Sequence, residues 1–175
     1  ARDIPLLDNY WQTLSEADLA RMFIDKSKLP TSEQFTAKVT NVIATPVAER
    51  TTDPLIWELN GEPAGFTTLN ILEKGKLAEI HLHIIHPDVR GQGYGTQWFA
   101  MSLRKYFQRH QVEKIVCQPA ASNPGPNGLM RALGVKPTRT HVTTPSSICV
   151  EPEVTRYEIS GFGVLREKDQ GQALN

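Results

Sequence analysis

The run from His81 to Thr96, His-Leu-His-Ile-Ile-His-Pro-Asp-Val-Arg-Gly-Gln-Gly-Tyr-Gly-Thr, constrains this chain more than any other stretch. An alternating apolar segment passes through a His86-Pro87-Asp88 turn into a glycine-rich loop, and a strongly helical pattern follows at once. Strand, glycine loop and helix start together make a phosphate-binding arrangement. Glycines let backbone N–H groups face an anion, and the helix N-terminus adds partial positive charge. The plainer alternative is a tight strand-to-helix turn that needs glycine for geometry alone.

Two familiar glycine-loop signatures do not fit. The dinucleotide fingerprint would use Gly91, Gly93 and position 96, but position 96 is Thr, and the acidic residue expected further on has only Glu113 to fill it. A P-loop needs Gly-Lys-Ser/Thr after its spacer, and the chain has none. The spacing Arg90-x-x-Gly93-x-Gly95 does fit a third pattern. It resembles the pyrophosphate-binding motif of the GNAT superfamily of N-acetyltransferases, where the loop between a central strand and the following helix holds acetyl-CoA. The chemistry is consistent: Gly93 and Gly95 leave backbone open to the ligand, and Arg90 places charge beside it.

The order of elements widens the resemblance. Ser15 has N-cap character ahead of Leu19, Met22 and Phe23, predicting a helix over 15–26. Thr31-Ser-Glu-Gln opens a second helix to about Ala44, with Phe35, Val39 and Val42 or Ile43 on one face. Three β segments follow, Leu55–Leu59, Ala64–Leu72 and Leu77–Ile85, the first two joined by the hairpin signal Asn60-Gly61. Tyr94 to His110 is the best amphipathic helix, and Lys114–Gln118 a short buried strand. A short helix over Gly128–Leu133, strand character around Val142 and Ile148–Val150, and a last strand at Val154–Ser160 complete the pattern. The segment Ala1–Trp11 has no clear period and reads as a strand or a loop. The expected fold is α/β (α+β) of GNAT type, a central mixed, mostly antiparallel sheet flanked by helices. Residues 1–160 form one domain in this reading, and 161–175 a loose tail.

Composition limits the partners. Lys plus Arg and Asp plus Glu number 19 each, so no global field favours nucleic acid or an anionic membrane. No apolar run has the length of a membrane span, and no signal-peptide pattern opens the sequence. Cys117 and Cys149 do not make a disulfide framework and suit a reducing compartment. A cytoplasmic protein, monomer or homodimer, is the expectation.

Alternation places Glu79, His81 and His83 on one face of their strand, with Ile80, Leu82 and Ile84 on the other. Three titratable groups in a row suit a cleft wall better than a core face. Acyl transfer to an amine needs a group that takes a proton from nitrogen, and an imidazole or a carboxylate of raised pKa can do so near neutral pH. His83 is the first candidate, then Glu79, then His81. Solvent exposure or satisfied hydrogen bonding in the sheet is the competing explanation for each. The spacing His81-x-His83-x-x-His86 also resembles metal ligation, but the further ligands of a metallohydrolase are lacking, with only His110 and His141 elsewhere, so no metal is expected.

The resemblance implies more. Gln118 to Val135 is similar to the later GNAT motif, with some similarity to the aminoglycoside 6′-N-acetyltransferase and siderophore-type branch at Pro119. There an Asn after the strand contacts the cofactor, a role falling on Asn123 ahead of Asn127. The family tyrosine that assists the leaving thiolate falls on Met130, which has no ionisable proton, leaving Tyr157, His141 or no acid at all. The pantetheine arm would pair with the backbone of Ile84 and Ile85, and a backbone amide near Ile85 would polarise the thioester carbonyl. Arg90, Gly91, Gln92, Gly93, Tyr94, Gly95 and Thr96 would hold the pyrophosphate. The implied activity is acetyl transfer from acetyl-CoA to a primary amine of a small molecule or peptide. The alternative is a non-catalytic acyl-CoA-binding regulatory domain of the same fold.

Overall fold

The structure, a computed structural model, describes residues 2–161. Six strands form one sheet: β1 (Thr52–Leu59), β2 (Glu62–Glu73), β3 (Leu77–Ile84), β4 (Lys114–Cys117), β5 (Pro137–Val142) and β6 (Glu153–Ser160), in the order β1-β2-β3-β4-β6-β5. Every neighbouring pair is antiparallel except β3 with β4. The mixed, mostly antiparallel sheet flanked by helices is the expected class. Asn60 and Gly61 both take positive φ, 54° and 85°, which is why that dipeptide makes the two-residue turn between β1 and β2.

The helices are α1 (Ile4–Gln12), α2 (Glu16–Met22), α3 (Ser32–Ala44), α4 (Tyr94–His110) and α5 (Pro124–Ala132). Ser15 caps α2 through the Asp18 N–H, and Thr31 and Gln34 form a reciprocal capping box at α3. Two helices depart from the sequence reading for one reason. The segment Ala1–Trp11, expected as strand or loop, holds α1, and the proline-rich segment ahead of Gly128 is already the first turn of α5. Pro5 and Pro124 sit in first turns, where a missing N–H costs nothing and the fixed φ suits the helix.

Ile148–Val150 has its strand character outside the sheet, where Cys149 forms an isolated antiparallel bridge with Ile24. It is no sheet strand but a strap on the end of α2, with Asp25 N–H donating to Ile148 O at 2.9 Å and Val150 N–H to Phe23 O at 2.9 Å. Gly161, assigned to the tail, is anchored by its N–H to Glu113 O at 3.3 Å. The remainder of the expected tail, 162–175, lies outside the described residues. None of the described helices is long and apolar enough to cross a membrane.

One face of the sheet packs on α4, whose Phe99, Leu103, Tyr106 and Phe107 meet Leu69, Ala78, Ile80 and Ile115. Its buried polar groups are paired. Trp57 Nε1 donates to Ser102 Oγ at 2.9 Å, Thr67 bridges Ser102 and Tyr106, and the Tyr106 hydroxyl donates to Asp53 O at 2.9 Å. Asp53, fully buried, accepts from Arg50 at 2.9 Å and Arg109 at 3.0 Å and contacts His110 Nε2 at 3.0 Å. Burial pushes its pKa up, but these partners outweigh burial and hold it below the ordinary carboxylate value. Arg50 also donates to Ile43 O and Thr45 O, so this cluster ties β1 to the ends of α3 and α4.

Candidate active site

The site begins where β3 and β4 part. They pair at Leu77–Lys114, Ala78–Ile115 and Glu79–Val116, and no further. On its other edge β3 stays paired with β2 through Gly65–Ile84, and Ile85 N–H continues that ladder to Ala64 O at 2.9 Å. Backbone groups alternate between edges along a strand, so those of Leu82 and Ile84 face the gap left by β4. The amide expected to be available at Ile85 is thus already engaged. Leu82 and Ile84 hold the free edge, and Ile84 O accepts from the Arg90 guanidinium at 3.3 Å.

Beyond β3 the chain turns through Pro87–Val89 into the glycine loop. Gly91 and Gly93 take φ of 77° and 84°, a region where a side chain is strained, and Gly93 caps the 17-residue helix α4. Thr96 and Gln97 N–H groups turn back to Gly93 O, while Tyr94 and Gly95 open the helix with their amides toward its N-terminal end. Gly95 lies against the sheet, where a Cβ would sit 3.4 Å from Ile84 Cδ1 and 3.7 Å from Leu129 Cδ1. Backbone amides, a helix N-terminus and an absent side chain therefore converge on the open end of β3.

One cavity of about 840 Å³ runs from this loop across the sheet to α3. Of the expected cofactor residues, Ile84, Arg90, Gly91, Gly93, Gly95, Thr96 and Asn123 line it. Ile85, Gln92 and Tyr94 do not: Gln92 Nε2 donates to Asp88 O at 2.7 Å, and Tyr94 stacks on Trp98 with centroids 5.3 Å apart.

His81 and His83 both line the cavity, on the face predicted by alternation. His83 sits among aromatic rings, stacked on Phe66 at 4.8 Å and edge-on to Trp11 at 4.8 Å, with Nδ1 3.0 Å from the Tyr10 hydroxyl. Burial, then the His81 and Arg21 charges, push its pKa down to about 3. Burial also lowers that of His81, against the opposing pull of Glu79. The His81 Nε2 is buried and has no hydrogen-bond partner among the described residues. Glu79 is buried off the wall, its Oε1 accepting from Gln118 Nε2 at 2.8 Å. His86 points to Pro63 O at 3.2 Å, apart from the other two histidines. No group of three His, Cys, Asp or Glu among the described residues is placed to hold a metal ion.

The sequence profile of the Acetyltransferase (GNAT) family matches residues 10–135. The chain belongs to this family. A comparison with curated protein sequences finds no match. Among solved structures, this GNAT chain is similar to the aminoglycoside acetyltransferase AAC(6')-Ib in complex with coenzyme A, with TM-score 0.72 and 17% identity over 95% of this chain and 94% of that one. It is also similar to a spermidine N-acetyltransferase from Vibrio cholerae in complex with CoA and spermine, with TM-score 0.75 and 16% identity over 94% and 93% of the two chains. RimL, a ribosomal L7/L12 alpha-N-protein acetyltransferase solved with coenzyme A, gives TM-score 0.73 and 17% identity over 91% and 89%.

Against the GNAT pattern, Met130 is wholly buried in the core, while its neighbours Gly128 and Leu129 face the cavity. Position 130 thus presents no group to the cleft. Tyr157 does not replace it: its hydroxyl donates to Asn127 Oδ1 at 2.8 Å, and neither it nor His141 lines the cavity. Asn127 spends both of its Nδ2 contacts on Ala120 O and Asn123 O, whereas Asn123 caps α5 at the cavity edge. Sequence reasoning missed Tyr10, Trp11 and Lys38 as wall residues. The adjacent aromatics at Tyr10-Trp11 would have flagged the first two once α1 was read as a helix, and Lys38 interrupts the apolar face of α3.

Proposed function

We propose that this GNAT chain is an N-acetyltransferase that moves the acetyl group of acetyl-CoA directly to a primary amine. The observation that carries the reading is the unpaired β3 edge at Leu82 and Ile84 opening beside the positive-φ glycine loop and the N-terminus of α4. An extended polar arm can add to that edge as a strand would, and a pyrophosphate suits the loop amides and Arg90. The residues present fit the cosubstrate, which supplies an activated thioester.

The chain's own groups prepare the nucleophile. Burial favours the neutral forms of His81 and His83, and no carboxylate among the described residues lines the wall. An ammonium entering there loses water and gains no counter-charge, which favours its neutral, nucleophilic form. His81 is the first proton acceptor in this reading, because its Nε2 has no partner among the described residues whereas His83 has its Nδ1 committed to Tyr10. Glu79 acts on His81 through its charge and is itself held by Gln118. An exposed amide of Leu82 or Ile84 takes the part of carbonyl donor.

The test is a thermal shift with acetyl-CoA, CoA and NAD side by side, followed by thiol release with an amine panel. Saturation at about 100 times the dissociation constant adds about 2.7 kcal/mol, a rise of roughly 5–10 °C for a chain of this size. A shift with the CoA species alone, with amine-dependent turnover lost in His81→Ala, is the expected result. No shift with acetyl-CoA overturns the reading. Binding without turnover for any amine favours the regulatory alternative.

A further inference from the structure

The acceptor half of the cavity has a chemistry of its own. Its body is apolar and aromatic, formed by Trp11 from α1, Phe35, Val39 and Val42 from α3, Phe66 from β2 and Ile148 from the strap. Among the described residues the charged members of the wall are cations: Arg21, Lys38 and, at the glycine loop, Arg90. No Asp or Glu among the described residues belongs to the wall. Asp18 is held by Ser15 and by the wall residue Arg21, whose charge it offsets, and Glu79 is held by Gln118. Lys38 shares a helix face with Phe35, Val39 and Val42, so α3 turns a charged amine into the site along with its apolar stripe. It has no ion-pair partner among the described residues.

Such a wall is the reverse of what a polycation needs. Kanamycin and spermine, bound in the structures of the two similar acetyltransferases, carry several ammonium groups. Each would enter here against like charge with no carboxylate to receive it. An acceptor with one amine, an apolar body and a carboxylate fits every part: the body against the aromatic and aliphatic wall, the carboxylate on Lys38, the amine at His81.

We infer that the acceptor is a small amino acid-like molecule, an apolar body bearing one primary amine and a carboxylate, with Lys38 as its anion-recognising residue. The inference rests on the acetyl-transfer reading. In the reaction the amine nitrogen bonds to the acetyl carbon and the carbon–sulfur bond breaks. The proton lost by nitrogen ends on the CoA thiol, and the carboxylate is unchanged. The cavity of about 840 Å³ must hold the cosubstrate arm as well, and the strap at Ile148–Val150 is fastened to the end of α2 beside it.

The experiment compares three acceptor sets at fixed acetyl-CoA, reading thiol release. The first set is phenylalanine, leucine, tryptophan and 4-(aminomethyl)benzoate. The second is their decarboxylated counterparts, such as 2-phenylethylamine. The third is spermidine and kanamycin. Expected kcat/KM for the best acid exceeds its decarboxylated counterpart at least ~10-fold and the polycations at least ~100-fold, a scale set by one charge-assisted contact and by unpaired buried charge. Lys38→Met raises KM for the acid about tenfold and removes its advantage over the decarboxylated amine, and Lys38→Glu reverses the preference. Lys38 is exposed, so both variants keep the fold, which their melting temperatures check. Preference for spermidine or kanamycin, equal rates with and without the carboxylate, or binding of acetyl-CoA with no acid turned over each overturns this inference while leaving cofactor binding intact. Failure of acetyl-CoA to bind instead overturns the acetyl-transfer reading beneath it.

Discussion

The Nδ1 of His83 lies 3.0 Å from the hydroxyl of Tyr10, and this contact joins the third strand of the sheet to the first helix at the cavity wall. Both partners are pushed toward neutrality by burial, the phenol to about 12 and the imidazole to about 3. The contact is therefore an uncharged one over the whole range in which the protein would work.

Acid sensitivity follows. An unfolded histidine titrates near 6.5, and folded His83 near 3. Between these values the unfolded chain binds the extra proton, so stability is complete above about pH 6.5 and falls as pH drops toward 3. The loss from His83 alone reaches about 2 kcal/mol at pH 5, and His81 adds in the same direction. Melting temperature measured from pH 7.5 to 4.5 should fall, with a flatter profile in His83→Asn. Parallel profiles would refute the assignment.

Gly65 cannot carry a side chain. A Cβ there would stand 2.6 Å from Trp57 Cε3 and 2.7 Å from the His83 carbonyl oxygen, one a packed ring and the other backbone. Gly65→Ala should cost about 1–3 kcal/mol by overpacking and displace β3 beside His83. Denaturant unfolding measures the first effect. A shifted His83 imidazole resonance reports the second.

Removing the Asp53 carboxylate should be far more damaging than most surface changes. Asp53→Ala leaves Arg50 and Arg109 without their buried partner, at a cost of about 3–5 kcal/mol. A midpoint shift of less than 1 kcal/mol equivalent would show that the cluster is replaced by water at little cost.

Gly95→Val tests the cofactor path without touching the strained positions. Gly95 has an ordinary helical φ, and a branched side chain there would project between Ile84 and Leu129 into the groove. The fold should persist, whereas the acetyl-CoA-induced thermal shift should fall by most of its size. An undiminished shift would place the pantetheine path elsewhere.

The loop and the alternation were legible because both are local. Gly91 and Gly93 mark backbone that must take positive φ, and a period of two on Glu79, His81 and His83 needs no knowledge of the rest of the chain. The same locality explains the correct reading of α4, of the capping box at Thr31 and of the Asn60-Gly61 turn. Prolines misled at α1 and α5, since sequence shows that a proline is present but not that it occupies a first turn.

What the residues do within the site was decided by tertiary structure. Glu79 and His81 are two positions apart on one face, yet Gln118 from beyond β4 holds Glu79 off the wall while His81 lines it, its Nε2 buried with no partner among the described residues. Ile85 looked as available as Ile84 until pairing with Ala64 consumed its amide. Tyr10, Lys38 and the strap at Ile148 reach the cavity from segments far apart in sequence. Backbone conformation is governed by neighbours along the chain, so sequence alone determined the loop and the strand face. Burial, partner choice and cavity charge depend on which distant segments pack together, and only the folded chain settles those.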